Sequence, residues 1–324
     1  MKIAFLGTGA YGLSLALMAN ENNNKIMMWT KFEEEKRTLL ENYGNPKLLP
    51  NVVMPKEIGY TTDMEECVRD TDLIFIMVPA GFVDDVSKEL SKYYKGQYIC
   101  IGSKGIEQDS CLFVDDVVRK SIKTKKLAVI SGPSFAVDIA SYVPIGLSLA
   151  SEQKKTAKIV KKALENKYLK IRICDDILGV EICGSIKNII AIACGIVDGM
   201  GLPESTKAML ITEAMHDIKE LIHALGGNKK TIMSYAGIGD LILTCTSSKS
   251  RNFTFGRLIG SKESTEKINE YASNTTIEGL YTLKSIYKLL RNKKVRMPII
   301  DIMYRIIVGK ESITLLTEFL VTKK

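Results

Sequence analysis

The chain of 324 residues has only two histidines, His216 and His223, seven positions apart on one predicted helix. Ordinary helix positions account for both, so any proton transfer is expected to fall to a lysine or a carboxylate. Its seven cysteines are odd in number and scattered, with no C-x-x-C pair. That pattern excludes a disulfide framework and a zinc knuckle, gives no reason to expect a metal site, and suits a reducing, cytoplasmic compartment. No uninterrupted apolar run reaches the length of a membrane span; Leu73–Ala80 and Ile189–Val197 both stop short. Stable membrane insertion is therefore not expected. Lysine and arginine give a net charge of +8, but they are spread along the chain, not gathered in one tract. A nucleic-acid partner has no support in that distribution. A mildly positive, lysine-rich surface instead suits small phosphorylated molecules. An internal repeat and a glycine- or serine-rich tether are also missing.

What is present is a composition for sizeable cores: 46% hydrophobic and 25% charged residues, at a length that suggests two domains. The apolar run Ile3–Leu6 leads directly into Gly7-Thr-Gly9-Ala-Tyr-Gly12, and an apolar helical pattern follows from Leu13 to Ala19. Each glycine has its own task in a dinucleotide loop. Gly7 permits the tight turn, Gly9 lets backbone approach a pyrophosphate, and Gly12 lets helix pack on strand. The helix N-terminus then faces the phosphates. Lys2, the apolar run and the small residues from Ala16 to Ala19 also resemble a secretory signal peptide. Three glycines break that apolar segment and one lysine makes a thin basic region, so the stretch is expected to remain as the nucleotide loop.

Apolar strand-like segments then alternate with amphipathic ones: Lys25–Trp29, Leu73–Val78, Tyr98–Ile101, Ala128–Ile130, Ile145–Ala150 and Leu169–Ile173, with helical patterns at Val83–Leu90 and Cys111–Ser121. Alternation of this kind predicts a doubly wound parallel sheet. Beyond about residue 177 the patterns are helical, over Val180–Asp198, Lys207–Leu225, Ile277–Leu290 and Ile299–Val308. The expected fold is α/β: a Rossmann-type doubly wound sheet in residues 1–176, then an all-α C-terminal domain in 177–324.

Several residues outside the first loop carry chemistry. Lys31 follows the second strand where an NAD-selective site would often hold an acid; the first acid is Glu33. Lys31 is suited to a 2′-phosphate, so NAD and NADP both stay open, with a slight tilt to NADP. Lys104 and Ser131-Gly-Pro-Ser134 follow predicted strands, and loops at carboxyl strand ends line the ligand crevice of such sheets. Lys187 lies among Ile182, Ile186, Ile189, Ile190 and Ile192. A lysine there either snorkels or works, and burial would bring its pKa down towards neutrality. Asp240 follows Gly237-Ile-Gly239, where a helix N-cap is an equally good reading. Ser250-Arg251-Asn252 joins a guanidinium to an amide and a hydroxyl, a set suited to phosphate.

Together these stretches resemble the NAD(P)-dependent glycerol-3-phosphate dehydrogenase family, in its bacterial form, over nearly the whole chain. The likeness rests on Gly7–Gly12, Ser103–Glu107, Ser131–Ala136, Val180–Asn188, Gly239–Thr246, Ser250–Asn252 and Ile277–Gly279, in order and with matching separations. It implies hydride transfer between glycerol 3-phosphate and dihydroxyacetone phosphate with NAD or NADP, supplying glycerol 3-phosphate for phospholipid synthesis. By that resemblance Lys187 is the catalytic lysine, with Asp240 and Thr244 beside it. Lys104 reaches cofactor and substrate, Gly132 and Ser134 touch substrate, and Ala136 touches cofactor. Asn188 is a substrate-side amide. Ser250, Arg251 and Asn252 grip the phosphate, with Arg251 also near the cofactor, and Ile277 and Glu278 are late cofactor contacts. Ala10 and Tyr11 fill the variable loop positions. A homodimer is the assembly considered.

Two departures stand out. Bacterial members usually carry Arg-Gly where this chain has Glu213-Ala214, and a more basic pair where it has Thr30-Lys31. Two other readings use the same sequence: a hydroxyacid or ketopantoate-type dehydrogenase sharing the architecture, and a dinucleotide sensor without catalysis.

Overall fold

The computed structural model describes residues 1–322. By internal packing the chain divides into two units. One comprises Met1–Lys104 and Val114–Ile177; the other comprises Gly105–Phe113 and the chain from Leu178 onward. A single cut near Asp176 therefore leaves out one detour: the nine residues after Lys104 pack with the helical unit.

The first unit is built on an eight-stranded sheet in the order β3-β2-β1-β4-β5-β6-β7-β8. Its central strands β1 (Lys2–Leu6) and β4 (Leu73–Ile76) pair in parallel, Ile3 with Leu73 through Leu6 with Ile76. Every residue of β4 is buried, as expected for a strand covered on both faces. Phe5 and Phe75 stack across the pair with ring centroids 4.5 Å apart. On the other side of β1 lie β2 (Lys25–Trp29) and the short β3 (Gly59–Thr61). β3 has too little apolar content to be read from sequence. Beyond β4 come β5 (Tyr98–Ile101) and β6 (Leu127–Ser131), both parallel. The strand order thus reverses between β1 and β4, which opens a crevice at their carboxyl ends.

The sheet is doubly wound and mostly parallel as expected, with one antiparallel pair. β7 (Ile145–Ala150) runs antiparallel to β6, with Val129 opposite Ala150, and β8 (Leu169–Cys174) follows β7 in parallel. An apolar run buried on both faces carries no record of its direction, so the sequence pattern could not distinguish the two. Helices cover the sheet, several of them by burying one stripe. In α5 (Val114–Ser121) that stripe is Val114, Val117 and Val118, at helical spacing. The predicted start at Cys111 falls in the detour, where Ile106 and Phe113 form an antiparallel bridge.

The second unit is helical. Its axis is α8 (Ile177–Gly199), 23 residues long and apolar enough by composition to span a membrane. Polar residues such as Glu181, Ser185, Lys187 and Asn188 divide it into shorter apolar runs, which is why the sequence reading found none of that length. Here its most apolar window is wholly buried, so its hydrophobicity serves a core. That core gathers Ile189, Ile192 and Val197 with Leu210, Phe253, Leu283, Ile300 and, from the detour, Ile106 and Phe113. α11 (Arg251–Gly260) packs against α8 backbone to backbone. A Cβ on Gly195 would lie 2.0 Å from Phe253 O, and one on Gly256 2.0 Å from Ile192 O; Gly199 and Gly260 repeat the arrangement one turn on. Only glycine permits that approach.

Candidate active site

In the first unit, the predicted nucleotide loop stands at the carboxyl end of β1, with α1 (Ala10–Glu21) behind it. Gly7 has φ +116°, and a Cβ there would meet Met77 O at 2.9 Å; a Cβ on Gly12 would meet Gly7 O at 2.7 Å. Both are glycines for reasons internal to the chain. Gly9 differs: it is exposed, a Cβ there would meet no atom within 4 Å, and it sits at the N-cap of α1 with no side-chain cap. An open approach to an uncapped helix N-terminus fits a pyrophosphate, so the residues present suit the dinucleotide that the loop implies.

The neighbouring strand ends carry the other residues expected here. Lys31 is exposed just beyond β2. Glu33, the nearest acid, is engaged with the Thr62 hydroxyl and with Lys36, and these contacts, the Thr62 bond foremost, hold its carboxyl below the usual range. Lys104, after β5, places its ammonium 5.6 Å from the centre of the Tyr11 ring, a cation–π contact that the sequence did not reveal. Ser134 Oγ donates to Gly132 O at 3.1 Å. Gly132 is explained by the approach of β7, since a Cβ would lie 2.9 Å from Leu147 Cδ2. Ala136 opens the short helix α6 (Ala136–Ala140). Two residues not singled out from sequence, Phe32 and Phe82, are 64% and 60% exposed beyond β2 and β4; the signal available was an aromatic just past a strand end.

In the second unit, Lys187 Nζ lies 2.5 Å from Asp240 Oδ1 and donates to Thr244 Oγ1 at 3.1 Å. The lysine is 8% and the aspartate 1% exposed. Three elements set this geometry. α8 carries the lysine. Gly237, whose Cβ would fall 2.1 Å from Ile232 O, turns the chain. α10 (Asp240–Thr246) then begins with the aspartate. Gly239, not Asp240, occupies the N-cap, so the capping role open to Asp240 on sequence grounds gives way to the ion pair. Thr244 Oγ1 also donates back to Asp240 O at 2.6 Å. Burial, first of all, raises the thiol of the adjacent Cys245 well above its usual value.

The remaining expected residues lie on α11 and α13 (Glu278–Lys293). Ser250 caps α11, its hydroxyl accepting from Phe253 N at 3.3 Å. Arg251, the first residue of that helix, is exposed. Asn188 and Asn252 are buried and bonded to each other, and Asn188 donates to Glu278 Oε2 at 2.9 Å. Ile277 is 2% exposed and its side chain belongs to the helical core. His216 and His223 are exposed on α9 (Glu204–Ala224), remote in kind from acid–base work.

A sheet that reverses order beside a glycine loop is the architecture of dinucleotide-binding enzymes. A buried lysine held by a carboxylate supplies a proton-handling group, and the two features together define the class of dinucleotide-dependent oxidoreductases. Comparison narrows that class. Residues 2–157 match the family model for the NAD-dependent glycerol-3-phosphate dehydrogenase N-terminus and residues 176–318 that for its C-terminus. A glycerol-3-phosphate dehydrogenase [NAD(P)+] of Agathobacter rectalis is 34% identical over 307 residues, covering 94% of this chain and 91% of the relative. One from Bacillus subtilis is 33% identical over 326 residues, covering 99% and 94%. The crystal structure of a glycerol-3-phosphate dehydrogenase from Coxiella burnetii superposes with a TM-score of 0.93 at 30% identity, covering 99% of each chain. The chain belongs to the NAD-dependent glycerol-3-phosphate dehydrogenase family.

Proposed function

We propose that this protein interconverts sn-glycerol 3-phosphate and dihydroxyacetone phosphate with NAD or NADP in the cytoplasm, providing glycerol 3-phosphate for phospholipid synthesis. The observation that carries the reading is the buried Lys187–Asp240 pair with Thr244. The bound nicotinamide would supply the hydride to C2. Gly7, Gly9, Ala10, Tyr11 and Gly12 would cradle its pyrophosphate, and Lys31 would meet a 2′-phosphate. Lys104, Ala136, Ile277, Glu278 and Arg251 would complete the cofactor contacts. Phe32 and Phe82 offer flat apolar faces to a base.

In the reductive direction the Lys187 ammonium polarises the C2 carbonyl and passes a proton to the oxygen as negative charge develops. Oxidation returns that proton to the lysine. Asp240 and Thr244 fix the ammonium, which cannot then swing away from the reacting oxygen. Arg251 binds the phosphate at the start of α11, remote from the reacting carbon, so that binding there fixes geometry at C2. Gly132 and Ser134 belong to the substrate side of the same reading, and a homodimer to its assembly.

The test is oxidation of NADH and of NADPH dependent on dihydroxyacetone phosphate. Lys187→Ala should abolish it while cofactor titration still shows binding. Turnover at the wild-type rate in that variant would sink the assignment.

A further inference from the structure

The helical unit contains a directed chain of hydrogen bonds that proton transfer does not use. The backbone N–H of Gly279 can only donate, and it donates to Asn252 Oδ1 at 2.9 Å. That fixes the Asn252 amide, whose Nδ2 donates to Asn188 Oδ1 at 3.2 Å. Asn188 Nδ2 then donates to Glu278 Oε2 at 2.9 Å. Amide orientation is ordinarily assigned from the surrounding network; here one backbone donor settles both side chains and directs the last N–H at a carboxylate. Gly279 is required for this arrangement, because a Cβ would lie 2.9 Å from both Asn252 Oδ1 and Asn188 O. Asn188 is 4% and Asn252 7% exposed, so water is a poor substitute for either partner.

The placement of the chain gives it meaning. Asn188 follows Lys187 on α8, Asn252 follows Arg251 on α11, and Glu278 opens α13. Asn252 has its oxygen and one of its N–H groups committed to this chain. We propose that Asn252 and Asn188 are positioning residues that hold the Glu278 carboxylate for the dinucleotide and tie it to the helix start where Arg251 stands. This rests on the reading that Glu278 contacts the cofactor.

The experiment is titration of NADH, followed by nicotinamide fluorescence with no substrate present. It compares wild type, Glu278→Ala, Asn252→Ala and the double variant, with urea unfolding as the check on folding. A lost hydrogen bond to a charged group is worth enough for about a tenfold weakening. Glu278→Ala and Asn252→Ala should each show it, and the double variant should be no weaker than Glu278→Ala. Should Asn252→Ala not fold, Asn188→Ala cuts the same chain while leaving the Gly279–Asn252 bond in place, and the same non-additivity is expected. If Glu278→Ala weakens NADH but the asparagine variant does not, or if the two losses multiply, the positioning role is wrong and Glu278 keeps its cofactor contact. If Glu278→Ala leaves affinity unchanged, both fall.

Discussion

Replacing Lys187 with methionine separates what the ion pair does for stability from what it does for catalysis. The substitution keeps most of the side-chain volume and removes an ammonium, 8% exposed, from 2.5 Å beside a carboxylate that is 1% exposed. Removing one partner of a buried pair strands the other, at a cost of about 3–5 kcal/mol. For a cooperative unit of this size, at ~2–4 °C per kcal/mol, the unfolding midpoint should fall by roughly 10 °C. Adding Asp240→Asn removes the stranded charge, so Lys187→Met/Asp240→Asn should regain most of that loss. Activity should not return. Proton transfer by a positioned group is worth about 10²–10⁴ in rate, and loss of the cation that polarises the carbonyl adds to it. Circular dichroism melting and NADH oxidation on dihydroxyacetone phosphate measure the two quantities independently. A double variant as unstable as Lys187→Met would refute the stranded-charge argument. Either variant turning over at more than about a tenth of the wild-type rate would refute the role of Lys187 as proton donor.

Four further outcomes are expected. Arg251→Ala should raise KM for dihydroxyacetone phosphate by at least about tenfold, given the strength of charge-assisted bonds to phosphate; an unchanged KM would favour a substrate without phosphate. Lys31→Glu should cut NADPH affinity by about tenfold while leaving NADH binding nearly as it was, and equal losses for both cofactors would remove Lys31 from the 2′-phosphate. Gly195→Ala puts a methyl 2.0 Å from Phe253 O and should destabilise by at least the ~1–3 kcal/mol of ordinary overpacking, read as a lower denaturant midpoint; an unaltered midpoint would contradict the close approach of α8 and α11. Six of the seven cysteines are buried, and burial raises the thiols of Cys67, Cys100 and Cys245 above their usual value. A thiol reagent at pH 8 should therefore label Cys174 at most in the native protein and all seven after denaturation. Rapid native labelling of several thiols would show that these cores open.

What the sequence made legible is local. The β1–loop–α1 unit could be read because its constraints are largely local: Gly7 turns the chain at φ +116°, and Gly12 answers to Gly7 O five residues back. The direction of β7 could not be read, because Ile145–Ala150 is equally apolar whichever way it runs. The detour of residues 105–113 left no trace either. Its nine residues have no period, and Ile106, Cys111 and Phe113 gain their apolar neighbours from helices far along the chain. α8 is expected as a helix over Val180–Asp198, close to its observed Ile177–Gly199, but the length of its apolar stretch is missed because Lys187 and Asn188 interrupt it.

Residue types at the candidate site were legible where their partners were not. Ser250 looks like a phosphate ligand beside Arg251, and its hydroxyl also caps α11, accepting from Phe253 N while its own proton stays available to donate. Asp240 by its spacing alone looks like a cap, and it is the family resemblance that sets it beside Lys187, where its carboxylate goes. The reason lies in the contact between α8 and α11. Asn188, Ile192, Gly195 and Gly199 fall at i, i+4, i+7 and i+11, one face of α8; Asn252, Gly256 and Gly260 fall at i, i+4 and i+8 on α11. The glycines let the two backbones meet, with a Cβ on Gly256 reaching to 2.0 Å from Ile192 O, and a side chain as short as asparagine can then bridge Asn252 to Asn188 at 3.2 Å. Larger residues at 195 or 256 would hold the helices apart and break that bridge with both asparagines still in place. The four glycines are therefore as much a condition of the site as the side chains that compose it.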